Sequence, residues 1–435
     1  MRGGENLNEE LQIQLEYTKN GTIKQSISNC VAILENDPFL AGAIRFNELT
    51  ERIDIVRNPG WNRFGTTLTD TDMSYIMMYL DDTYGLTSEK RIRNAVTIAA
   101  NNNKYHPVRD CLNTLVWDGH PRIRYALHHF LGADTSNLTY ESLKLFMLGA
   151  ICRVFDPGCK FDIMLCLVGD QGAGKSTFFR FLALKDEWFS DDIRRLDDDN
   201  IYRKLQGHWI IEMSEMLATA NAKSFEEIKS FISRQKEVYK IPYETHPADR
   251  HRQCVFGGTT NKKYFLPADR SGSRRFLPVE GNASEAETHI LADETASRAY
   301  IRQMWAEAME LYRNGNYSLS FSPEMAEHMK NYQASFVPED SDKDAILGFL
   351  EECSYDFVCS KLLYYEALQH TERDTPARWD LNAINEILRL YAKDWKEGPT
   401  HRFSVYGTQR SWIRKAPKDE FVDLSDLDES LLPFR

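Results

Sequence analysis

The sequence predicts an α/β fold built around a phosphate loop, and three observations carry that prediction. The first is Gly169-Asp170-Gln171-Gly172-Ala173-Gly174-Lys175-Ser176, which fits G-x-x-x-x-G-K-[ST]. Backbone N–H groups of such a loop wrap an anion, its lysine reaches the outer phosphates and its serine hydroxyl ligates Mg²⁺. The second is the order of what surrounds it. The apolar run Ile163-Met164-Leu165-Cys166-Leu167-Val168 reads as a buried parallel strand. Thr177 to Leu184 then reads as a helix whose positive dipole end faces the phosphates. The third is a second apolar strand, Gly207 to Glu215, that ends in carboxylates.

With 435 residues the chain is long enough for two or three domains, and 42% hydrophobic with 27% charged residues is ordinary for a globular protein. No apolar run reaches the length of a membrane span and the first thirty residues lack signal-peptide regions, so the expected location is cytoplasmic, without a membrane partner. Eight cysteines with no C-x-x-C pair read as reduced thiols rather than a zinc site or disulfide framework. A net charge of −12 argues against blanket electrostatic binding of nucleic acid. A local cluster goes the other way: twelve Lys/Arg against six Asp/Glu lie between Lys223 and Arg275.

Three regions follow from the pattern. Residues 1–140 read as a mixed, mainly helical N-terminal domain, with short strands at 42–46 and 53–56, a helix capped by Thr69 or Asp70, and another over 88–100. Tyr105-His106-Pro107 and Trp117-Asp118-Gly119 read as turns before helices. Residues 141–337 form the phosphate-loop domain, entered by a helix with Leu143, Phe146, Met147, Ala150 and Val154 on one face. Residues 338–435 show three helices followed by an aromatic, basic strand pair at 401–407 and 410–414, the order of a winged helix, and then an acidic stretch from Asp419 to Glu429.

Within the central region the phosphate loop, Gly169 through Thr177, is the cofactor site for ATP with Mg²⁺. Glu212 is placed on the metal with Ser176, and Glu215 on the attacking water, though the two carboxylates could exchange roles. Asn261, at the tip of the strand that includes Gly257-Gly258-Thr259-Thr260, is the γ-phosphate sensor. Arg274 and Arg275 sit together at a turn, and arginine is the side chain that neutralises charge on a transferring phosphoryl group.

Tyr105-His106-Pro107-Val108, Trp117-Asp118-Gly119, the phosphate loop, Ile210-Ile211-Glu212-Met213-Ser214-Glu215, Ile228-Lys229-Ser230-Phe231, Pro242-Tyr243, Thr259-Thr260-Asn261 and Gly272-Ser273-Arg274-Arg275-Phe276 occur in an order that resembles the virulence-associated protein E family. That family comprises phage and mobile-element ATPases related to superfamily-three helicases, and the resemblance covers most of the chain. It implies an AAA+-like core of superfamily-three helicase type working as a homohexameric ring. Arg274 or Arg275 would face the neighbour's ATP, and a hairpin near 240–252 would line the pore. It further implies movement along single-stranded DNA in the 3′ to 5′ direction, on single-stranded or forked DNA, in the company of replication proteins. Lys229, Lys240, Arg250 and Arg252 would then contact phosphates. Glu237 and Lys240 stand where the family commonly has an acidic residue and an arginine before Pro-Tyr.

Two other readings stay beside this one. A nucleotide-regulated DNA-binding initiator, or a defence ATPase, would use the same loop without unwinding. A small-molecule phosphotransferase would also share the loop, but no acceptor pocket or lid is evident in the sequence.

Overall fold

The computed structural model describes residues 13–415 except 59, 194–195, 197–200, 214–221, 240–247, 268–272, 338–340 and 372–373. Glu215, Lys240, Pro242-Tyr243 and the acidic stretch 419–429 therefore lie outside the described residues. The chain divides into two compact units, Met1–Pro338 and Glu339–Arg435.

The first unit opens with α1 (Ile27–Asn36), β1 (Ile44–Asn47), β2 (Arg52–Ile55), α2 (Asp70–Tyr84), α3 (Glu89–Asn102) and β3 (Lys104–Tyr105). β1 pairs antiparallel with β2 and parallel with β3, giving a small sheet in the order β2-β1-β3. Thr69 caps α2 in a reciprocal capping box with Asp72, and Asp72 also accepts from Trp61 Nε1 and Arg63. Burial alone would raise the Asp72 carboxyl, but these hydrogen bonds outweigh it and hold the group well below the usual carboxylate range. A core of its own, with Ile33, Ile76, Leu80, Ala95 and Val96, sits between these helices and the sheet.

From α4 (Pro107–Asn113) onward the chain contributes to a second core. α5 (Ile123–Leu131) and α6 (Asn137–Phe155) place Phe130 and Phe146 against the buried side chains of a five-stranded parallel sheet. Residues 107–140, assigned to the N-terminal domain from the sequence, thus pack with the phosphate-loop region. The sheet is made of β4 (Met164–Val168), β5 (Phe189–Ser190), β6 (Ile210–Glu212), β9 (Val255–Thr260) and β10 (Phe276–Glu280), ordered β10-β4-β9-β6-β5. Every residue of β4 is buried, as a strand covered on both faces requires, and this is why its sequence is a continuous apolar run without alternation. α7 (Lys175–Leu182) follows β4, and its Phe179 ring lies so close to Gly257 of β9 that no Cβ fits there.

Between β6 and β9 come the helix Ala222–Ile232 and an antiparallel hairpin, β7 (Lys236–Tyr239) and β8 (Ala248–His251). Beyond β10, the helix Glu294–Arg313 returns across the core, where Trp305 donates to the Leu182 carbonyl at 2.8 Å and packs on Trp209. Trp209 in turn donates to Ala150 O at 2.9 Å, so both indoles satisfy their single polar atom while buried.

The second unit runs helix Ser341–Glu352, strand β11 (Phe357–Val358), a short helical segment from Ser360, helix Arg378–Tyr391, and hairpin β12 (Trp395–Phe403) with β13 (Gly407–Arg414). Its sheet order is β11-β13-β12, and Ile346, Leu363, Ile384, Leu388 and Trp412 form its core. A strand pair is present as read from the sequence, but its turn falls at 404–406, inside the first strand expected at 401–407, and that strand begins instead at Trp395. β11 did not show in the sequence, because two residues are too few to set up a period.

Candidate active site

Parallel register brings the candidate residues to one edge. β4 lies between β10 and β9, with Val168 opposite Thr260, so the residues that follow the two strands, Gly169 and Asn261, emerge side by side. Gly169 N donates to Thr260 O at 3.2 Å. Gly172 and Gly174 both have φ near +85°, a region open to glycine at little cost, and this lets the chain turn back on itself and start α7 at Lys175.

Lys175 is buried, and its ammonium donates to Gly169 O at 2.7 Å, Asp170 O at 2.6 Å and Asn261 Oδ1 at 3.1 Å. Burial lowers its pKa, opposed by the charges of Asp170 and Glu212. Lys175 and Asn261, given separate roles toward the phosphates in the sequence reading, thus touch directly across neighbouring strands.

Glu212, 1% exposed, stands at the end of β6. Its Oε1 accepts from Ser176 Oγ at 2.7 Å and from Thr259 Oγ1 at 2.5 Å, whereas Oε2 is buried without a hydrogen-bond partner among the described residues. Burial pushes the carboxyl pKa up against the pull of the two hydroxyls. A carboxylate with one unmatched oxygen beside a serine hydroxyl is an all-oxygen donor set suited to a hard divalent cation such as Mg²⁺. Among the described residues no cluster of three or more His, Cys, Asp or Glu side chains could hold a metal by itself. Such an ion would need oxygen ligands from a bound phosphate as well. Thr259 has no role in the sequence reading. It appears there only within the Thr259-Thr260-Asn261 stretch, without a task of its own.

Arg274 and Arg275 lie at the opposite edge. They precede β10, whose residues Phe276 to Glu280 run in register with Met164 to Val168, so a full strand separates them from the phosphate loop of the same subunit. Five residues at about 3.3 Å each make that roughly 16 Å. Asp162, just before β4, receives Arg275 Nε at 3.0 Å and Arg274 Nη2 at 3.3 Å, and Ser233 Oγ also accepts from Arg275 Nε. Arg275 is 22% exposed and doubly held; Arg274 is 66% exposed.

The basic residues expected to meet nucleic acid are placed differently. Lys229 is buried and paired with Glu226. Arg252 is buried against the rings of Phe231 and Phe256, donates to Phe231 O and pairs with Glu237. Arg250 pairs with Glu51, a residue of the β1–β2 turn. These arrangements correct the expectation for all three: each guanidinium or ammonium already faces a carboxylate of its own chain, and two of the three are shielded from solvent.

The same β1–β2 turn makes further contacts with the turn that precedes β6 and with Gln253, just beyond β8. Gly207 N donates to Leu49 O, Gln206 Nε2 to Thr50 O, and Gln253 Nε2 to Glu48 O. His106 accounts for the Tyr-His-Pro stretch: its Nδ1 accepts from Arg109 N and caps α4, and its Nε2 faces Gln253 Oε1 at 2.6 Å. Burial pulls His106 down to a pKa of about 4. In the Trp-Asp-Gly stretch, Asp118 binds Arg122 through two bonds and Trp117 donates to His120 O, as a structural turn would.

A phosphate-loop-like motif at the carboxyl edge of a five-stranded parallel sheet, with a carboxylate and an asparagine on neighbouring strands, defines the class: an α/β protein with a P-loop-like core. The chain belongs to the virulence-associated protein E-like family, whose domain model matches residues 112–338. Among solved structures, the apo A form of the NrS-1 C-terminal region aligns at 16% identity over 85% of this chain and 96% of that chain, TM-score 0.46. A second structure of that region gives 15%, 86%, 96% and 0.49. JCV helicase with a bound acetamide compound aligns at 9% identity over 64% of this chain and 82% of that chain, TM-score 0.26. A search of curated proteins finds no match. No helix among the described residues is long and apolar enough to cross a membrane.

Proposed function

We propose that this protein is an ATP hydrolase that moves DNA through a ring of identical subunits, in the replication of a phage or mobile element. The observation that carries the reading is the Lys175–Asn261 and Ser176–Glu212–Thr259 constellation at one sheet edge. Family membership supports it. In this reading the outer phosphates of ATP take over the Lys175 ammonium from Asn261 and the loop carbonyls. Asn261, released from the lysine, orients the water that attacks the γ-phosphorus in line. The bond to the bridging oxygen breaks, and Glu215 receives the proton of the water. Ser176 and the unmatched oxygen of Glu212 would hold Mg²⁺, which would offset charge on the phosphate oxygens.

Arg274, exposed and a strand's length from its own loop, serves a neighbouring subunit's ATP. Arg275 is the buttress that Asp162 and Ser233 hold beside it. The AAA+-like, superfamily-three character of the core and the homohexamer belong to the same proposal. So does a winged helix in the second unit, whose helix–strand–helix–helix–hairpin order fits that fold and whose exposed Lys396, Arg402 and Arg410 suit a nucleic-acid backbone.

The decisive experiment mixes two inactive variants. Lys175→Ala keeps a sound arginine and a dead loop; Arg274→Ala keeps a sound loop without its arginine. Mixed rings contain interfaces with both groups intact, so DNA-stimulated hydrolysis returns on mixing. If no mixture regains turnover while each variant still assembles, action across a subunit boundary is wrong. A DNA-binding initiator that does not unwind is the second reading, favoured by the burial of Lys229 and Arg252. A forked substrate separates the two: the initiator binds duplex and leaves the strands paired.

A further inference from the structure

The segment between β10 and the helix Glu294–Arg313 crosses the phosphate loop and touches it at several points. Gly281 N donates to Val168 O at 2.8 Å, tying the segment to the end of β4. Ile290 is fully buried, and its side chain leaves no room for a Cβ on Gly174. Thr288 N donates to His129 O at 3.1 Å, so the strap is also fastened to the end of α5. His289, between these tethers, reaches the loop itself: its Nε2 lies 3.1 Å from Gly172 O.

The tautomer follows from the other ring nitrogen. Leu291 N donates to His289 Nδ1 at 3.2 Å, so Nδ1 carries the lone pair and Nε2 carries the hydrogen. Nε2–H therefore donates to the Gly172 carbonyl. In a trans peptide the carbonyl of one residue and the N–H of the next point to opposite sides. With the Gly172 oxygen drawn toward the strap, the Ala173 N–H points into the loop. There its backbone partner among the described residues is Asp170 O, at a long 3.4 Å. Ala173 N–H is thus aimed inward and weakly engaged, as a donor for an anion should be.

We propose that His289 is a positioning residue for nucleotide phosphate, holding the Gly172–Ala173 peptide so that its N–H faces the bound anion. The inference rests on the phosphate-loop reading above and adds a residue from outside the motif. The strap supplies by one hydrogen bond an orientation that the two glycines flanking Ala173, Gly172 and Gly174, do not impose on their own.

The test measures equilibrium binding of a fluorescent ATP analogue with Mg²⁺, together with KM and kcat, in the full chain. Removing one hydrogen bond of ordinary strength predicts about a five- to tenfold weaker affinity and higher KM for His289→Ala, with kcat changed less than about twofold. His289→Gln, which keeps an amide donor, recovers most of the affinity; His289→Phe, which keeps bulk without a donor, does not. Wild-type affinity in the alanine variant, or equal recovery by Gln and Phe, overturns the proposal. Lys175→Ala is the control: if it still binds the analogue, the phosphate-loop reading itself fails. If it loses binding while His289→Ala binds normally, only the role of His289 fails. An unchanged melting temperature in His289→Ala keeps unfolding from imitating the effect.

Discussion

Where β4 gives way to the phosphate loop, Lys175 is surrounded by three acceptors of its own subunit, and Ser176 and Thr259 converge on one oxygen of Glu212. At the other end of the same strand, Asp162 holds two arginines, one of them with its guanidinium largely in solvent. The first edge is a site that closes within the subunit, save for one oxygen of Glu212. The second leaves one guanidinium largely in solvent, and under the proposed function it would complete a neighbour's site. A parallel sheet makes this division unavoidable, because all carboxyl ends lie on one side and all amino ends on the other, and a residue preceding β10 cannot reach the loop following β4. The arginines at one end of β10 and the phosphate loop at the other end of β4 are therefore held apart within one subunit.

The largest effect expected from breaking this contrast is at Arg274. Arg274→Ala should lower DNA-stimulated turnover by about 10³-fold or more while leaving ATP-analogue affinity within about threefold, measured by steady-state kinetics and titration. Arg275→Ala should instead lower thermal stability, since its Nε bonds Asp162 and Ser233. Equal catalytic defects without a stability difference would erase the distinction drawn between the two arginines. At the other edge, Thr259→Val removes one of two hydrogen bonds to a buried carboxylate, a cost of about 1–3 kcal/mol in stability. A matching loss of Mg²⁺-dependent nucleotide affinity would show that Thr259 orients Glu212 and does not merely pack beside it.

A further prediction concerns pH. His106 has a pKa near 4 when folded against an ordinary value of 6.5, so the unfolded chain binds the extra proton first. Stability is complete above pH 6.5 and declines as pH falls toward 4, by about 3 kcal/mol at most from this group. Denaturant titrations at several pH values should show the slope, and His106→Gln should flatten it. The smallest effect belongs to Lys229→Gln. A lost phosphate contact would reduce the salt dependence of single-strand binding by about 0.7 in log–log slope, and a lysine already buried beside Glu226 should change it by less.

The loop, its strand and its helix were legible because they are contiguous and each obeys a local rule. Asn261 was legible as a polar residue at a strand tip, and the parallel register of β9 with β4 is what sets its Oδ1 against the Lys175 ammonium. The hairpin cations were legible as charges but not as partners. Lys229 lies off the apolar stripe of its helix, yet it is buried, and no periodicity reports that kind of tertiary cover. Arg252 meets Glu237 because of a strand register, Glu237 opposite Arg250, which no spacing in the sequence specifies. His289 left no signal at all. Its role depends on a strap folding back over a motif more than a hundred residues earlier.

The grip of the β1–β2 turn on the turn before β6 and on the residues at the end of β8 bears on how this chain can be shortened. A fragment trimmed to the matched family segment, 112–338, would discard Glu51, His106 and the carbonyls of Glu48, Leu49 and Thr50. Gln206, Gly207, Arg250 and Gln253 would all lose their counterparts at once. Binding measured on such a piece would be read with Arg250 in a setting that the whole protein does not give it.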